Sequence, residues 1–271
     1  MSQLLPSPFH ERRLSGPAPI LLQPQMAGAA IGKELHTHPE GQFYFATQGL
    51  IVVETALGRC VMPPGRLGWI PPLLAHGARV IGSRKGHAAD GLVGFSLYLL
   101  PALCAQFPAE PVVLALSDIL RAILLRMQSW PQHQALGGAE RRLLDVFIDE
   151  IHAARPEPLR LRMPQERRLA TLAATIAADP ADDTPLEQWE QRLGMSRRTI
   201  TRHFRAETGM SIVEWRQVAR LQRALEMLGD GDSVTSVAIT LGYDSVSSFI
   251  ALFRRVLGTT PTKFLAPANR S

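Results

Sequence analysis

Residues 186–264 carry one pattern twice, and that repeat limits what the chain can fold into more than any other feature. The first copy reads LEQWEQRLGMSRRTITRHFRAETGMSIVEW and the second VTSVAITLGYDSVSSFIALFRRVLGTTPTKF. When they are aligned, Gly194 meets Gly242, Ile200 meets Phe249 and Phe204 meets Phe253. Arg205 meets Arg254, Gly209 meets Gly258 and Trp215 meets Phe264, with one extra residue after the second copy's first glycine. A helix, a glycine turn and a basic second helix make a unit that can lay one helix in a DNA groove. Two such units predict two inserted helices.

In the first copy Leu186, Trp189 and Leu193 share a helical stripe. Gly194 supplies the positive-φ stop, and Ser196 can cap the next helix with its hydroxyl. Ile200 and Phe204 face inward one turn apart, while Arg198, Thr201, Arg202 and Arg205 recur on the opposite face. Arg197, Thr199 and His203 flank them. The arginine fork matches guanine edges and phosphates, so Ser196, Arg197, Arg198, Thr199, Thr201, Arg202 and Arg205 are the expected DNA contacts.

The second copy has Ser247, Ile250 and Ala251 where the first has Arg198, Thr201 and Arg202. Asp244 or Ser245 can cap its second helix. Ser245, Ser247, Ser248 and Arg254, with Arg255, can reach phosphate but read few base edges. The expectation is a division of labour: the first unit reads sequence and the second positions the protein. A connecting helix from Ser211 to about Leu228, ended by Gly229 and Gly231, spans ~27 Å. That length suits recognition helices placed about 34 Å apart on one DNA face.

These residues carry a resemblance. Residues 165–265 resemble the two-unit DNA-binding domain of AraC/XylS-type transcriptional regulators, on Gly194, Ser196, Phe204, Gly209 and Ser211 in the first copy. In the second copy the matching residues are Gly242, Tyr243, Ser248, Phe249, Phe253, Gly258, Pro261 and Phe264. The family usually has a basic residue where Ala251 stands and Tyr-Arg where Phe264-Leu265 stands. The resemblance implies a double-stranded DNA operator, a small-molecule effector, RNA polymerase contact and a homodimer.

The 271 residues are enough for two domains. The net charge of +5 suits a polyanionic partner. From Met163 to Ser271, however, fourteen basic side chains face twelve acidic ones, so the DNA face must come from local placement. Cys60 and Cys104 form no metal spacing and no disulfide framework, and read as small buried groups in a reducing, cytoplasmic setting. The N-terminal stretch lacks the continuous apolar core of a signal peptide. Residues 91–109 are uncharged, but Pro101 and Pro108 argue against a membrane span.

From Pro19 to about Leu100 short apolar runs are separated by glycine and proline. Strands are expected at 20–23, 42–47, 50–55, 59–62, 67–70, 78–81 and 92–100, which predicts a sandwich or small barrel. Within it lies His36-Thr37-His38-Pro39-Glu40-Gly41-Gln42, followed later by Gly65, Pro71, Leu73 and His76. Two histidines spaced by two on a strand face one side, and His76 can supply a third imidazole. This spacing resembles cupins, with Gln42 in the usual glutamate position and Leu73 in a usual glycine position.

Two readings stay open at that site. One is a divalent metal held by His36, His38 and His76; the other is a metal-free polar effector pocket of His36, His38, Gln42, Tyr44 and His76, or histidines that are simply satisfied as structure. Glu40 reads as a solvated turn residue. Alternation places Gln42 and Tyr44 on one face and Phe43 and Phe45 on the other. His10, His87, His133 and His152 have no evident partner.

Helices are expected over 112–130 and 139–154, the second with an apolar stripe of Leu143, Leu144, Phe147, Ile148 and Ile151. One of them is the candidate dimer surface. The Pro- and Arg-rich stretch RPEPLRLRMP reads as a linker, before a helix from about Gln165 to Ala178. The expected organisation is α+β: a cupin-like sensor barrel at 1–110, a helical segment at 111–155, a linker at 156–164, and an all-α DNA-binding domain at 165–271 with two helix-turn-helix units. The expected function is a sequence-specific transcriptional regulator with no catalytic residues. The alternatives are a metal-dependent cupin enzyme and an architectural DNA-binding protein without effector.

Overall fold

The computed structural model describes residues 18–26, 34–47, 49–81, 92–131 and 134–265. They form two compact units. One lies within residues 1–157 apart from 57–59, and the other joins 57–59 to 158–271.

In the first unit the strands are β1 (Ile20–Met26), β2 (Gly41–Ala46), β3 (Leu50–Thr55), β4 (Gly58–Met62), β5 (Arg66–Ile70), β6 (His76–Ile81), β7 (Leu92–Leu99) and β8 (Val112–Ala115). One antiparallel sheet runs in the order β1-β7-β2-β5-β8, and β3 sits between β6 and β4 in the other. This is the expected cupin-like arrangement of short strands, because each apolar run is long enough to cross a small barrel and no longer. The five-stranded sheet packs on one face against α1 (Pro101–Cys104), α2 (Asp118–Met127) and α3 (Gly138–Ala153).

Strand β2 shows why the layers lie this way. Its residues alternate between two buried faces. Phe43 and Phe45 join Trp69, Leu97 and Leu99 in one core with Leu124 and Met127 of α2 and Phe147 and Ile151 of α3. Phe43 meets Phe147 edge-on at 5.6 Å between ring centroids. Burying one such phenyl ring contributes roughly 1.5–3 kcal/mol. Gln42 and Tyr44 point the other way and are also buried.

Two expectations are corrected here. The helix placed over 112–130 is a strand followed by a helix. Val112–Ala115 pairs antiparallel with β5, because its β-branched run finds an open sheet edge. Ser117 then caps α2 by accepting from Leu120 N at 3.1 Å. The turn expected after Leu100 is the short helix α1. His10, His87 and His133 lie outside the described residues.

The second unit contains β9 (Arg160–Arg162), α4 (Arg167–Ala178), α5 (Leu186–Leu193), α6 (Arg197–Thr208), α7 (Ile212–Asp230), α8 (Val234–Thr240), α9 (Val246–Leu257) and α10 (Pro261–Leu265). Residues 159–163, read from sequence as linker, are docked within this unit. Trp215 Nε1 donates to Arg162 O at 2.9 Å, and Gln222 Nε2 donates to Leu159 O at 2.9 Å. Leu161 lies in the core with Leu169, Leu172, Trp189, Phe204 and Trp215. The connecting helix α7 runs two residues past the expected end. Gly229 lies inside it, and Gly231, at φ 101°, terminates it. Among the described residues no helix is long and apolar enough to cross a membrane.

Two barrel positions constrain which residue can stand there. A Cβ on Gly41 would lie 2.1 Å from the Trp69 ring and 2.7 Å from Cys104 Sγ. Leu73 adopts φ 61°, the left-handed region, while 70% exposed. Its amide donates to His38 O at 2.9 Å, so the strained turn is tied to the His38 backbone. Gly41→Ala is expected to cost about 1–3 kcal/mol by overpacking. Leu73→Gly should add about 0.5–1 kcal/mol by relieving φ strain. Urea unfolding of the two variants reads these opposite signs.

Candidate DNA-binding surface and barrel site

The first helix-turn-helix unit is built from α5 and α6. Gly194 ends α5 at φ 61°, and Ser196 caps α6 by accepting from Thr199 N at 3.3 Å. Ile200 and Phe204 are fully buried, and Phe204 meets Trp215 edge-on at 6.0 Å. With that face occupied, Arg198, Thr201, Arg202 and Arg205 are all exposed along one side of α6. Arg197 is exposed too, but its guanidinium pairs with Glu187 of α5 at 3.1 Å. Thr199 is half-buried, and its hydroxyl lies 2.9 Å from that of Ser196. His203 lies beside Arg202, with Nε2 at 3.0 Å from the guanidinium. The exposed cationic face of α6 is therefore centred on Arg198, Arg202 and Arg205, while Arg197 braces the two helices.

The second unit, α8 and α9, repeats the turn with a different face. Gly242 takes φ 71°. Of the two expected caps, Ser245 is the one used: it accepts from Ser248 N at 3.1 Å, and Ser248 Oγ donates to Ser245 O at 2.7 Å. Phe249 and Phe253 are fully buried, and Phe264 packs edge-on against Phe253 at 5.4 Å. The exposed side carries Ser247, Ser248, Ala251, Arg254 and Arg255, with Ile250 half-buried. Two of the five expected phosphate contacts, Ser245 and Ser248, already spend hydrogen bonds on the cap.

The barrel site gathers residues from three segments. His36 and His38 do not lie on a regular strand as the spacing suggests. His36 instead forms an isolated antiparallel bridge with His76, its N–H donating to His76 O at 2.9 Å and its carbonyl oxygen accepting from His76 N at 3.0 Å. Gln42 comes from β2. One ring nitrogen from each of His36, His38 and His76 lies within 4.8 Å of the others. Gln42 Oε1 is 3.1 Å from both His38 Nε2 and His76 Nε2. Gln42 Nε2 donates to Ser96 Oγ at 3.0 Å.

Electrostatics follow from burial. Desolvation holds the His38 imidazole below its ordinary pKa and pushes His76 down to about 3, so burial disfavours the charged form of both rings. Burial also raises the Tyr44 hydroxyl well above its usual value and Tyr98 to about 12. Glu40, read from sequence as solvated, is only 9% exposed, and its carboxylate is 3.5 Å from His38 Nδ1. It is drawn in because it closes the turn that carries His38.

Three partners escaped the sequence reading. Ser96 holds the Gln42 amide, Tyr98 stacks edge-on against His38 at 5.5 Å, and Gln106 O receives His152 Nε2 at 2.9 Å. Ser96 and Tyr98 become visible only through the register of β2 on β7, which sets Gln42 opposite Tyr98 and Tyr44 opposite Ser96.

A barrel with a buried polar centre and a mainly helical unit with two helix-turn-helices, one presenting an arginine face, define a DNA-binding regulator. Comparison with known proteins agrees. A helix-turn-helix domain family matches residues 189–266. The chain is 31% identical over 232 residues to the HTH-type transcriptional regulator NimR of Escherichia coli strain K12, covering 86% of this chain and 82% of that one. It is 36% identical over 102 residues to RipA of Corynebacterium glutamicum, covering 38% of this chain and 31% of RipA. The solved structure of ToxT from Vibrio cholerae superposes with a TM-score of 0.38 at 9% identity, covering 91% of this chain and 97% of ToxT. The chain belongs to the AraC-type family of helix-turn-helix transcriptional regulators. Such regulators bind double-stranded DNA. The relatives regulate transcription rather than catalyse reactions, which sets the cupin-enzyme alternative aside.

The cap of α6 gives a direct check on how its face is held. Ser196→Ala should lower stability by about 1 kcal/mol, read as a shift of the urea midpoint at unchanged slope.

Proposed function

We propose that this regulator reads its operator mainly through α6 and uses α9 to fix its position on the DNA backbone. The observation that carries the reading is the contrast between exposed faces: Arg198, Thr201, Arg202 and Arg205 on α6 against Ser247, Ala251 and Arg254 on α9. Arginine at a base edge discriminates by about 1–3 kcal/mol, whereas a phosphate contact weakens binding evenly across sequences. Helix α7, at 19 residues, spans ~28 Å, which suits two recognition helices in successive major-groove segments.

The barrel takes a small-molecule effector at the polar centre formed by His36, His38, Gln42, Tyr44 and His76. Effector binding shifts the relative population of DNA-competent arrangements. The regulator works in the cytoplasm as a homodimer on paired half-sites and contacts RNA polymerase. The exposed apolar residues Ile119 and Leu125 of α2 and Val146 of α3 support a dimer surface in the helical segment. Residues 1–110 are the sensor, 111–155 the helical segment and 165–271 the DNA-binding domain.

Operators selected from random DNA, followed by fluorescence anisotropy, test the division of labour. Arg202→Ala should lose about 1–3 kcal/mol on the selected site and little on scrambled DNA. Ser247→Ala should weaken both equally and by less. Equal loss of discrimination from both variants refutes the asymmetric reading.

A further inference from the structure

Both helix-turn-helix units pack on α7, and on one side of that helix they also meet each other. Arg216 and Arg220 lie one turn apart on α7 and reach the loop 179–185 that joins α4 to α5. Arg220 Nε donates to Pro180 O at 2.7 Å, while its Nη2 lies 3.5 Å from Ala181 O and 2.7 Å from Asp183 Oδ1. Arg216 Nη1 is 3.5 Å from the same carboxylate oxygen. The Arg220 guanidinium also sits over the ring of Tyr243, 5.9 Å from its centroid. Tyr243 belongs to the turn that carries α9. In that turn a Cβ on Gly242 would lie 3.7 Å from Ala181 Cβ. One side chain of α7 thus touches the loop entering the first unit and the turn of the second.

Each side of this junction leads to a recognition helix. On one side Asp182 Oδ1 fixes the exit of the loop by accepting from Thr184 N at 2.8 Å and Thr184 Oγ1 at 2.6 Å. The loop runs into α5, which holds Arg197 of α6 through Glu187. On the other side Tyr243 packs on Phe249 of α9, with 5.1 Å between ring centroids. We propose that Arg220 is a positioning residue that sets the separation and rotation between α6 and α9, and with them the operator spacing the regulator accepts. The inference rests on the reading that both helices meet DNA. The backbone contacts carry it. Asp183 is 74% exposed, and an exposed ion pair contributes little. The Arg220 side chain is only 16% exposed. Its planar fork addresses the loop backbone and the Tyr243 ring together, which the point charge of a lysine cannot do.

Operator spacing tests this directly. Inserting or removing one base pair moves half of the operator by about 3.4 Å and turns it by about 35°. Two clipped helices cannot follow both changes, whereas two loosened ones follow part of them. Full-length protein is titrated by fluorescence anisotropy against its selected operator and against versions one base pair longer or shorter between the α6 and α9 segments. The wild type should bind the shifted operators at least about tenfold more weakly, as expected when several contacts are lost together. Arg220→Lys should weaken binding to the selected operator and shrink that penalty to about threefold or less. A role in stability alone would weaken binding at every spacing by the same factor and leave the ratio unchanged. Circular dichroism checks folding, and Arg220→Gln takes the place of Arg220→Lys if the latter does not fold.

A covalent bridge supplies a second arm. Ala181→Cys with Gly242→Cys joins two positions whose Cβ separation of 3.7 Å suits a disulfide. The strain of Gly242→Cys at φ 71° is common to the oxidised and reduced protein and cancels between them. In the Arg220→Lys background, oxidation should restore the wild-type spacing penalty and reduction should remove it again. An unchanged penalty in Arg220→Lys overturns the proposal, as does a cross-linked protein that keeps the flattened profile. If no cross-link forms, the Arg220→Lys profile decides. A wild type indifferent to spacing also overturns it. Arg202→Ala on the same operators then still reports whether α6 reads sequence, so the two readings fail separately.

Discussion

The occupied faces of β2 and α6 decide what their opposite faces can do. A strand alternates every residue and a helix repeats about every 3.6, so filling one side with rings fixes the direction of the other. In β2, Phe43 and Phe45 are taken up by the core shared with α2 and α3. Gln42 is thereby committed to the barrel interior, beside His38 and His76. In α6, Ile200 and Phe204 are taken up by the core around Trp215. Arg198, Arg202 and Arg205 are thereby committed to solvent and to whatever polyanion arrives. The polar centre of the barrel and the cationic face of the DNA-binding unit are both by-products of apolar burial.

The two helix-turn-helix units show the same scaffold carrying different chemistry. Each has a left-handed glycine between its helices and a serine cap on its second helix, and each buries an aromatic pair or its equivalent. These parts set geometry and say nothing about what is read. The exposed residues do, and there the copies diverge. In α9 the serine pair Ser245 and Ser248 is partly consumed by the cap, and in α6 Arg197 is partly consumed by Glu187. A side chain that looks available in a helical projection can already be holding its own scaffold.

The repeat, its glycines and caps, the arginine face and the strand-rich first half were all legible in the chain, because each depends on local spacing or on residues whose backbone preferences are strong. Leu73 was legible as a departure from a glycine position, and the structure shows the consequence as a positive φ. What failed were features set by distant partners. Val112–Ala115 looks like the start of a helix until β5 offers it an edge. Glu40 looks solvated until its turn is folded against His38. Residues 159–163 look like a linker until Trp215 and Gln222 reach their carbonyls.

By itself the sequence determined which residues are bound for core or solvent, where helices stop, and that two helix-turn-helix units differ in charge. Periodicity and capping chemistry are written within a few residues of where they act. Only the tertiary structure decided that His36 bridges His76, that all three imidazoles set Nδ1 against backbone carbonyls, and that Gln42 stands beside His38 and His76 with Ser96 behind it. Those relations join residues up to 54 positions apart. They depend on strand register, which follows from the packing of whole sheets rather than from any local pattern.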